Sequence, residues 1–549
     1  MHLAPASTPA RRRGALGAAL MAALALGGCA GSDSHPSALA PAVPIALAPG
    51  QVDGWSRAEI DAFLHGSMGA EVFPERMLRA FIAVNPDLFP RADLSSFGLI
   101  PDPAFGWPIG FSRRPVDHLG ELISVGVNCA ACHVADVVPA GGGAPVRVLG
   151  ATSHFDAEAF FGAVTVASFR AATPEGMQRY LAAYMAAGEP SLASADARQL
   201  VERAWRPKAA AMVALIATDP AGAAGVAPGA LHEIEPADLR LSRAALEVGA
   251  DLEPRVRGHL RLFHNVRAAL HIPDRPPSVL PPASGPGRND AFGLLSAALF
   301  AAPQPYAPVK FGMVWNLETR RWVHWDGNTQ SPMGRNVLAA LGLGAPLAGN
   351  RALLDVAAVA RQTELSERIR APRYPFAVDE GAAARGAVTF AARCASCHEG
   401  AESDARVHSV AAVGTDPRRA DAFTDAEAQR LNAFLARLEA PGYRPPSTPG
   451  LRATGGYWAP TLAGVWARAP YLHNGSVRTL AELLGEPAQR AATFRRGTAR
   501  YDTARLGYLD EGPYVLDTRT PGNSSGGHTA GADLPGEAKR DLLEYLKTR

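Results

Sequence analysis

The hydrophobic positions of this chain alternate between three- and four-residue spacings over much of its length, which is the period of helices packed by one face. "WSRAEIDAFLHG" opens such a pattern: Ser56 stands as a candidate cap, with Ile60, Phe63 and Leu64 on one side. The same spacing recurs from about 155 to 270, in "AEAFFGAVTVASFR", "EGMQRYLAAYMAAG" and "SADARQLVERAWRPKAAAMVALIA". That region carries few chemical groups and reads as scaffold. A Pro-rich connection follows at 271–287, then a polar and aromatic stretch at 311–331 with a candidate hairpin. Near 370–381 the pattern breaks again. Beyond it, "DEGAAARGAVTFAARCASCH" starts a helix with acidic residues in its first turn. The chain closes on an amphipathic helix that sets Leu542, Leu543 and Leu546 on one side.

The pattern at the N-terminus is different. Arg11, Arg12 and Arg13 precede an apolar run of 15 residues, "GALGAALMAALALGG", short for a membrane span and suited to a secretory signal. It ends in "LGGC". Small residues before Cys29 resemble a lipoprotein processing site, so Cys29 is the expected lipidation point and 1–28 the signal peptide. An Ala-, Pro- and Ser-rich tether is expected over 29–50. The expected location is outside the cytoplasm, in the periplasm or on the outer membrane, with the membrane as a partner through the lipid anchor.

Composition narrows the classes. The chain has 549 residues, too many for one ordinary domain, and 47% of them are hydrophobic, enough for large cores. A net charge of +2 gives no reason to expect a nucleic-acid partner. Of five cysteines, Cys29 is accounted for and the other four fall in two C-x-x-C-H motifs.

Those motifs, Cys129-Ala-Ala-Cys132-His133 and Cys394-Ala-Ser-Cys397-His398, carry the candidate chemistry. Cysteines three apart on one helical turn can form thioethers to the two vinyl groups of a haem. The next residue then lies under the ring, where its imidazole binds iron. A zinc site at either motif would lack a fourth ligand, and a redox dithiol would want a small βαβ domain. Two covalently attached c-type haems are expected, with His133 and His398 as iron ligands. The helix before the second motif and the helix at the chain end resemble a class I cytochrome c domain.

The sixth iron ligand decides between electron transfer and chemistry. None of the nine methionines follows the second motif. Within that domain His408, His473 and His528 remain as candidates; otherwise a residue such as Met333 would have to reach across. For the first haem, His118, His154, His259, His264, His271 and His324 are candidate distal groups. Phe155, Phe160 and Phe161 are candidates for an apolar pocket, with helix packing as the alternative. Trp315 and Trp325 are candidates for a place between the haems, and Arg288 and Arg468 for pairing with haem propionates. No catalytic residue is identified.

"WARAPYLHNGSVRTLAELL", 466–484, is similar to a stretch of the bacterial di-haem cytochrome c peroxidase superfamily. "GPGRNDAFG", 285–293, "WVHWDGNTQSPMGRNVLAALGLGA", 322–345, and "GNSSGGHTAGADLPGEAKRDLLEYLKTR" at the end resemble its rubber oxygenase branch. That resemblance implies His528 as sixth ligand of the C-terminal haem, and an N-terminal haem with a position for dioxygen. It assigns His473 to the pocket structure near the haems. The peroxidases' catalytic glutamate has no evident counterpart.

The expected fold is therefore mainly α: two cytochrome c-like haem domains with long loops, 51–375 and 376–549, the first enlarged by extra helices. The expected function is that of an exported di-haem oxidoreductase. Its N-terminal haem would react with dioxygen or peroxide, and its C-terminal haem would transfer electrons to or from a partner protein. Peroxide reduction and plain electron transfer between two six-coordinate haems are the alternatives.

Overall fold

A computed structural model describes residues 45–116, 122–171, six residues between 176 and 186, 283–300, 307–400 apart from 346 and 349, and 406–549. Cys29 and the expected leader, His118, His259, His264 and His271, and nearly all of the stretch after 171 that was expected to be helical lie outside the described residues.

The chain enters through β1 (Ala46–Leu47) and α1 (Arg57–His65). Ser56 caps α1 as its sequence requires: its side chain accepts from the Glu59 N–H, and Glu59 reaches back to the Ser56 N–H at 2.8 Å. Phe63 and Leu64 are buried. Next come β2 (Phe73–Pro74) and α2 (Glu75–Val84), then β3 (Phe111–Val116) and β4 (Leu122–Val127), which pair with β2 in the order β2-β4-β3. β4 runs straight into α3 (Cys129–His133), a single turn holding the first motif, and β5 (Val134–Pro139), β6 (Val146–Leu149) and α4 (Ala157–Ala171) follow.

After the undescribed stretch, β7 (Arg288–Asn289) pairs with β8 (Val309–Lys310). The helices α5 (Pro332–Gly342) and α6 (Val356–Arg368) lead to α7 (Glu380–Arg393) and to α8 (Ala395–His398), the second motif. Beyond them, β9 (Val407–Ser409) pairs with β10 (Gly456–Trp458), and β11 (Thr493–Arg496) with β14 (Tyr514–Asp517). Between the last two lie β12 (Arg500–Asp502) and β13 (Gly507–Tyr508), and α10, which follows α9 (Asp425–Arg437) in the helix series, ends the chain at Gly536–Lys547.

Among the described residues the fold is mixed α and β, 37% helical and 16% strand, and this corrects the mainly α expectation. The largest sheet has five strands in the order β1-β6-β5-β12-β13. In it β5 runs parallel to β12, Val138 opposite Arg500, so a strand next to the first motif pairs with one near the chain end. These strands are two to six residues long and interrupted by Gly and Pro, too short to print a period of two on the sequence. The stretch 311–331 likewise holds no named hairpin: Val323 bridges Thr329 around a turn at Gly327, where φ is 58°.

The cytochrome-like helix pair is present. Asp379 caps α7 by accepting from the Ala382 N–H, and α7 crosses α10 at Gly386. Leu542, Leu543 and Leu546 are buried in a core that also takes in Val134, Val148 and Trp466.

Candidate functional site

The first motif is set by close backbone approach. Asn128 caps α3 by accepting from the Ala130 N–H at 2.9 Å, and its amide donates to the Gly66 carbonyl at 2.8 Å. Gly110 packs against α3 so tightly that a β-carbon there would stand 2.3 Å from Ala131 Cα. The strand after the motif is tied down as well: the His133 carbonyl accepts from Gly150 N–H at 2.6 Å and the Cys132 carbonyl from Ser153 N–H at 3.1 Å. Ala130 and Ala131 are buried. The second motif is built on the opposite plan. None of the residues of α8 is buried, and Ser396 lies exposed. The residues between the cysteines are thus enclosed at the first motif and partly exposed at the second, while the four cysteines are half-buried alike.

No disulfide joins any of the four motif cysteines. Burial pushes the Cys132 thiol up to about 12 and raises those of Cys129 and Cys394. Burial lowers both His133 and His398 to about 4, so each ring is neutral at neutral pH, the state that binds a metal. The His398 ring is also oriented. Its Nδ1 lies 2.8 Å from the Pro460 carbonyl, which fixes the proton on that nitrogen and leaves Nε2 with the lone pair.

His528 faces it. The two ring centres are 6.3 Å apart, with planes inclined at 45°. An imidazole nitrogen lies ~2.0 Å from a metal it binds and ~1.1 Å from its own ring centre, so two rings flanking one ion stand about 6.2 Å apart. The pair fits one iron between two imidazoles. Burial lowers the pKa of His528 and keeps it neutral.

The loop that presents His528 is over-determined. His528 sits at φ 46°, a left-handed conformation, after Gly527 at 73°. Its N–H donates to the Val413 carbonyl at 2.8 Å. Arg490 donates to the carbonyls of Gly527 at 2.8 Å and His528 at 3.0 Å. Asn474 donates to the Ser524 carbonyl at 2.9 Å, and the Ser476 hydroxyl to the same oxygen at 2.8 Å. Asp416 accepts from the N–H groups of Gly522 and Ser524. Sequence reasoning missed Arg490 and Asp416. The "HNGS" stretch was visible, but its role as a tie for a loop fifty residues on was not.

The other candidate histidines have other surroundings. His473 stacks on Tyr457, ring centres 4.1 Å apart, and its carbonyl accepts from Lys310 N–H. His408 lies on β9, paired with Tyr457 across the ladder. His154 packs edge-on to Tyr508 at 4.6 Å. His324 meets Phe292 at 5.3 Å, and its Nδ1 lies 2.9 Å from Asn328 Oδ1. Burial lowers His473 and His324 to about 3. At 6.3 Å from the His133 ring centre stands the phenyl ring of Phe311, which sequence reasoning did not single out.

Phe155 and Phe160 are fully buried in an aromatic core with Phe111, against which Phe161 and Cys132 pack; Phe311 belongs to the same core. Trp315 is fully buried and donates to the Ala463 carbonyl at 3.1 Å. Trp325 donates to the Lys310 carbonyl at 3.0 Å, and its own carbonyl accepts from Trp458 N–H at 3.0 Å, so it stands between the Phe311 side and the β10 side. Arg288 donates to Asn523 at 2.6 Å, and Arg468 to the carbonyls of Thr461 and Ala463. Met333 lies by Thr363. No helix among the described residues is long and apolar enough to cross a membrane.

Residues 456–495, which include β10, the "HNGS" stretch and Arg490, match the RoxA-like, cytochrome c-like family. The match bears out the rubber oxygenase-like branch of the resemblance and implies c-type haem. The chain is 30% identical over 357 residues to the uncharacterised protein y4iJ of Sinorhizobium fredii, covering 48% of this chain and 60% of that one. It is 31% identical over 324 residues to the uncharacterised protein y4iM of the same bacterium, covering 50% of this chain and 73% of the relative. The chain therefore belongs to the family of y4iM and carries within it a RoxA-like cytochrome c segment.

Proposed function

We propose that this protein is an exported, lipid-anchored di-haem c-type cytochrome oxidoreductase with two unlike haems. Cys129, Cys132 and His133 would hold one, and Cys394, Cys397, His398 and His528 the other. Bound haem supplies one-electron redox chemistry and, where a coordination position is open, reaction with a small oxidant such as dioxygen or peroxide.

The observation that carries the reading is an asymmetry of partners. His398 has an imidazole across a gap of 6.3 Å, whereas the ring at that separation from His133 belongs to Phe311, which has no lone pair to offer. His528 would close the second iron and keep it an electron carrier. The buried aromatic core around the first motif would exclude water from the first. The partly exposed turn of α8 suits exchange of electrons with a partner protein, and the enclosed turn of α3 suits chemistry kept apart from solvent.

Haem content, optical and EPR spectra of the purified protein test this. Two haems per chain by pyridine haemochrome are expected, one low-spin with bis-histidine character and one high-spin or able to bind carbon monoxide. Two bis-histidine low-spin haems without carbon monoxide binding would reduce the protein to an electron carrier and overturn the oxidant-reactive assignment.

A further inference from the structure

Four basic side chains converge inside the protein. Arg288, Lys310, Arg468 and Arg496 are each no more than 5% exposed. The Lys310 ammonium donates to the Arg468 carbonyl and lies over the rings of Trp325, at 5.1 Å, and Tyr471, at 5.8 Å. Arg496 projects into a space that two glycines leave open. A β-carbon at Gly475 would stand 3.1 Å from its Nη1, and one at Gly287 3.4 Å from its Nη2. Its Nη1 is buried and has no hydrogen-bond partner among the described residues.

Two acids act on this group, and each also holds a neighbour of its own. Asp156 influences Arg496 and accepts from the Ala159 N–H at 3.0 Å. Glu158 influences Arg288 and is held by the hydroxyl and N–H of Ser284. Burial, then the neighbouring cations, push the Lys310 ammonium well down, and the same causes lower Arg496 to about 9. Buried like charges are costly unless a counter-charge joins them.

The group lies close to both motifs. Gly287, beside Arg496, abuts the carbonyl of Ser153, whose N–H donates to the Cys132 carbonyl at 3.1 Å. Arg468 donates to carbonyls just after Pro460, the residue that orients His398. The cluster thus neighbours the backbone that carries both motifs.

We propose that Lys310 and Arg496, with Arg288 and Arg468 beside them, form one carboxylate clamp shared by the propionates of both haems. The inference rests on the di-haem reading. It makes each haem's potential depend on a common set of charges. Removing a cation from the clamp favours the ferric form, which carries the greater positive charge, and lowers the potential.

Spectropotentiometric titration of both haems tests it. In Lys310→Met the ferric-to-ferrous ratio at fixed potential should rise at least tenfold at both haems, a fall of about 59 mV or more for a one-electron couple. Arg496→Gln should do the same, while Lys310→Arg and Arg496→Lys should stay within threefold of the wild type. A shift at one haem alone, or at neither, overturns the shared clamp, whatever happens to the melting temperature. So do wild-type potentials that follow added acetate or phosphate, which would mean that a free anion fills the place. If the Lys310 variants lose haem, the Arg496 pair carries the test. A haem count of one in the wild type would instead sink the di-haem reading itself.

Discussion

Gly386 on α7 lies directly against the Asp541 carbonyl on α10: a β-carbon at Gly386 would stand 2.1 Å from that oxygen and 2.8 Å from Tyr545 Cβ. The contact is backbone on backbone, so no rotamer change relieves it. On either side, Arg385 pairs with Asp541 at 2.7 Å and Phe390 meets Tyr545 at 5.1 Å between ring centres. In an exposed helix, Gly→Ala stabilises by about 1 kcal/mol. Here Gly386→Ala should destabilise by about 2 kcal/mol or more, because the helices must separate to admit the methyl group. Urea denaturation of the haem-loaded protein checks this, and a neutral or stabilising result would mean that the crossing is looser than the geometry gives.

Gly110 plays the corresponding part at the first motif, with a further constraint: its φ is 93°, where side chains are strained in addition to the clash with Ala131. Gly110→Val should displace α3 and lower haem attachment at Cys129 and Cys132, while the partly exposed second motif still loads. The expected readout is a fall from two haems per chain towards one, by pyridine haemochrome. Equal loss at both motifs would contradict the separate construction of the two sites.

His528→Ala should open the second iron. The expected change is loss of the low-spin bis-histidine signal of that haem and gain of binding to added imidazole. His473→Ala, which removes the stack on Tyr457, should leave that signal in place. Arg490→Ala should act in the same direction as His528→Ala but less completely, because it unpins the loop without deleting the ligand. An unchanged spectrum in His528→Ala would return the ligand question to His408 and His473.

What the sequence disclosed follows from the range of the interactions concerned. The Ser56 capping box, the acidic start of α7 and the leucine face of α10 are local, so they print on neighbouring positions. The two C-x-x-C-H motifs are local too. His528 became legible only through resemblance, since its position depends on Arg490, Asn474 and Asp416, each far away along the chain. The strands were missed for a physical reason. β5 and β12 pair across more than three hundred residues in pieces of six and three, with both faces covered, so no alternation marks them. Phe311 and Lys310 carried no signal of their own, because a phenyl ring or a lysine gains its meaning here from what the fold places opposite.

Glu158 gives the fold a pH dependence that a surface carboxylate would not. Burial raises its pKa from an ordinary 4.5 to about 7, with the two Ser284 hydrogen bonds opposing the shift. A carboxyl raised in the folded state holds a proton that the unfolded chain has already lost between those two values. Its contribution to stability is therefore complete below about pH 4.5 and is lost as pH rises to about 7, amounting to about 3 kcal/mol. Glu158→Gln cannot ionise and keeps most of the shape. Unfolding free energies measured from pH 5 to pH 8 should show the wild type losing stability relative to the variant as pH rises. Parallel curves would mean that Glu158 is ionised in the folded protein throughout that range, with Arg288 supplying the compensation.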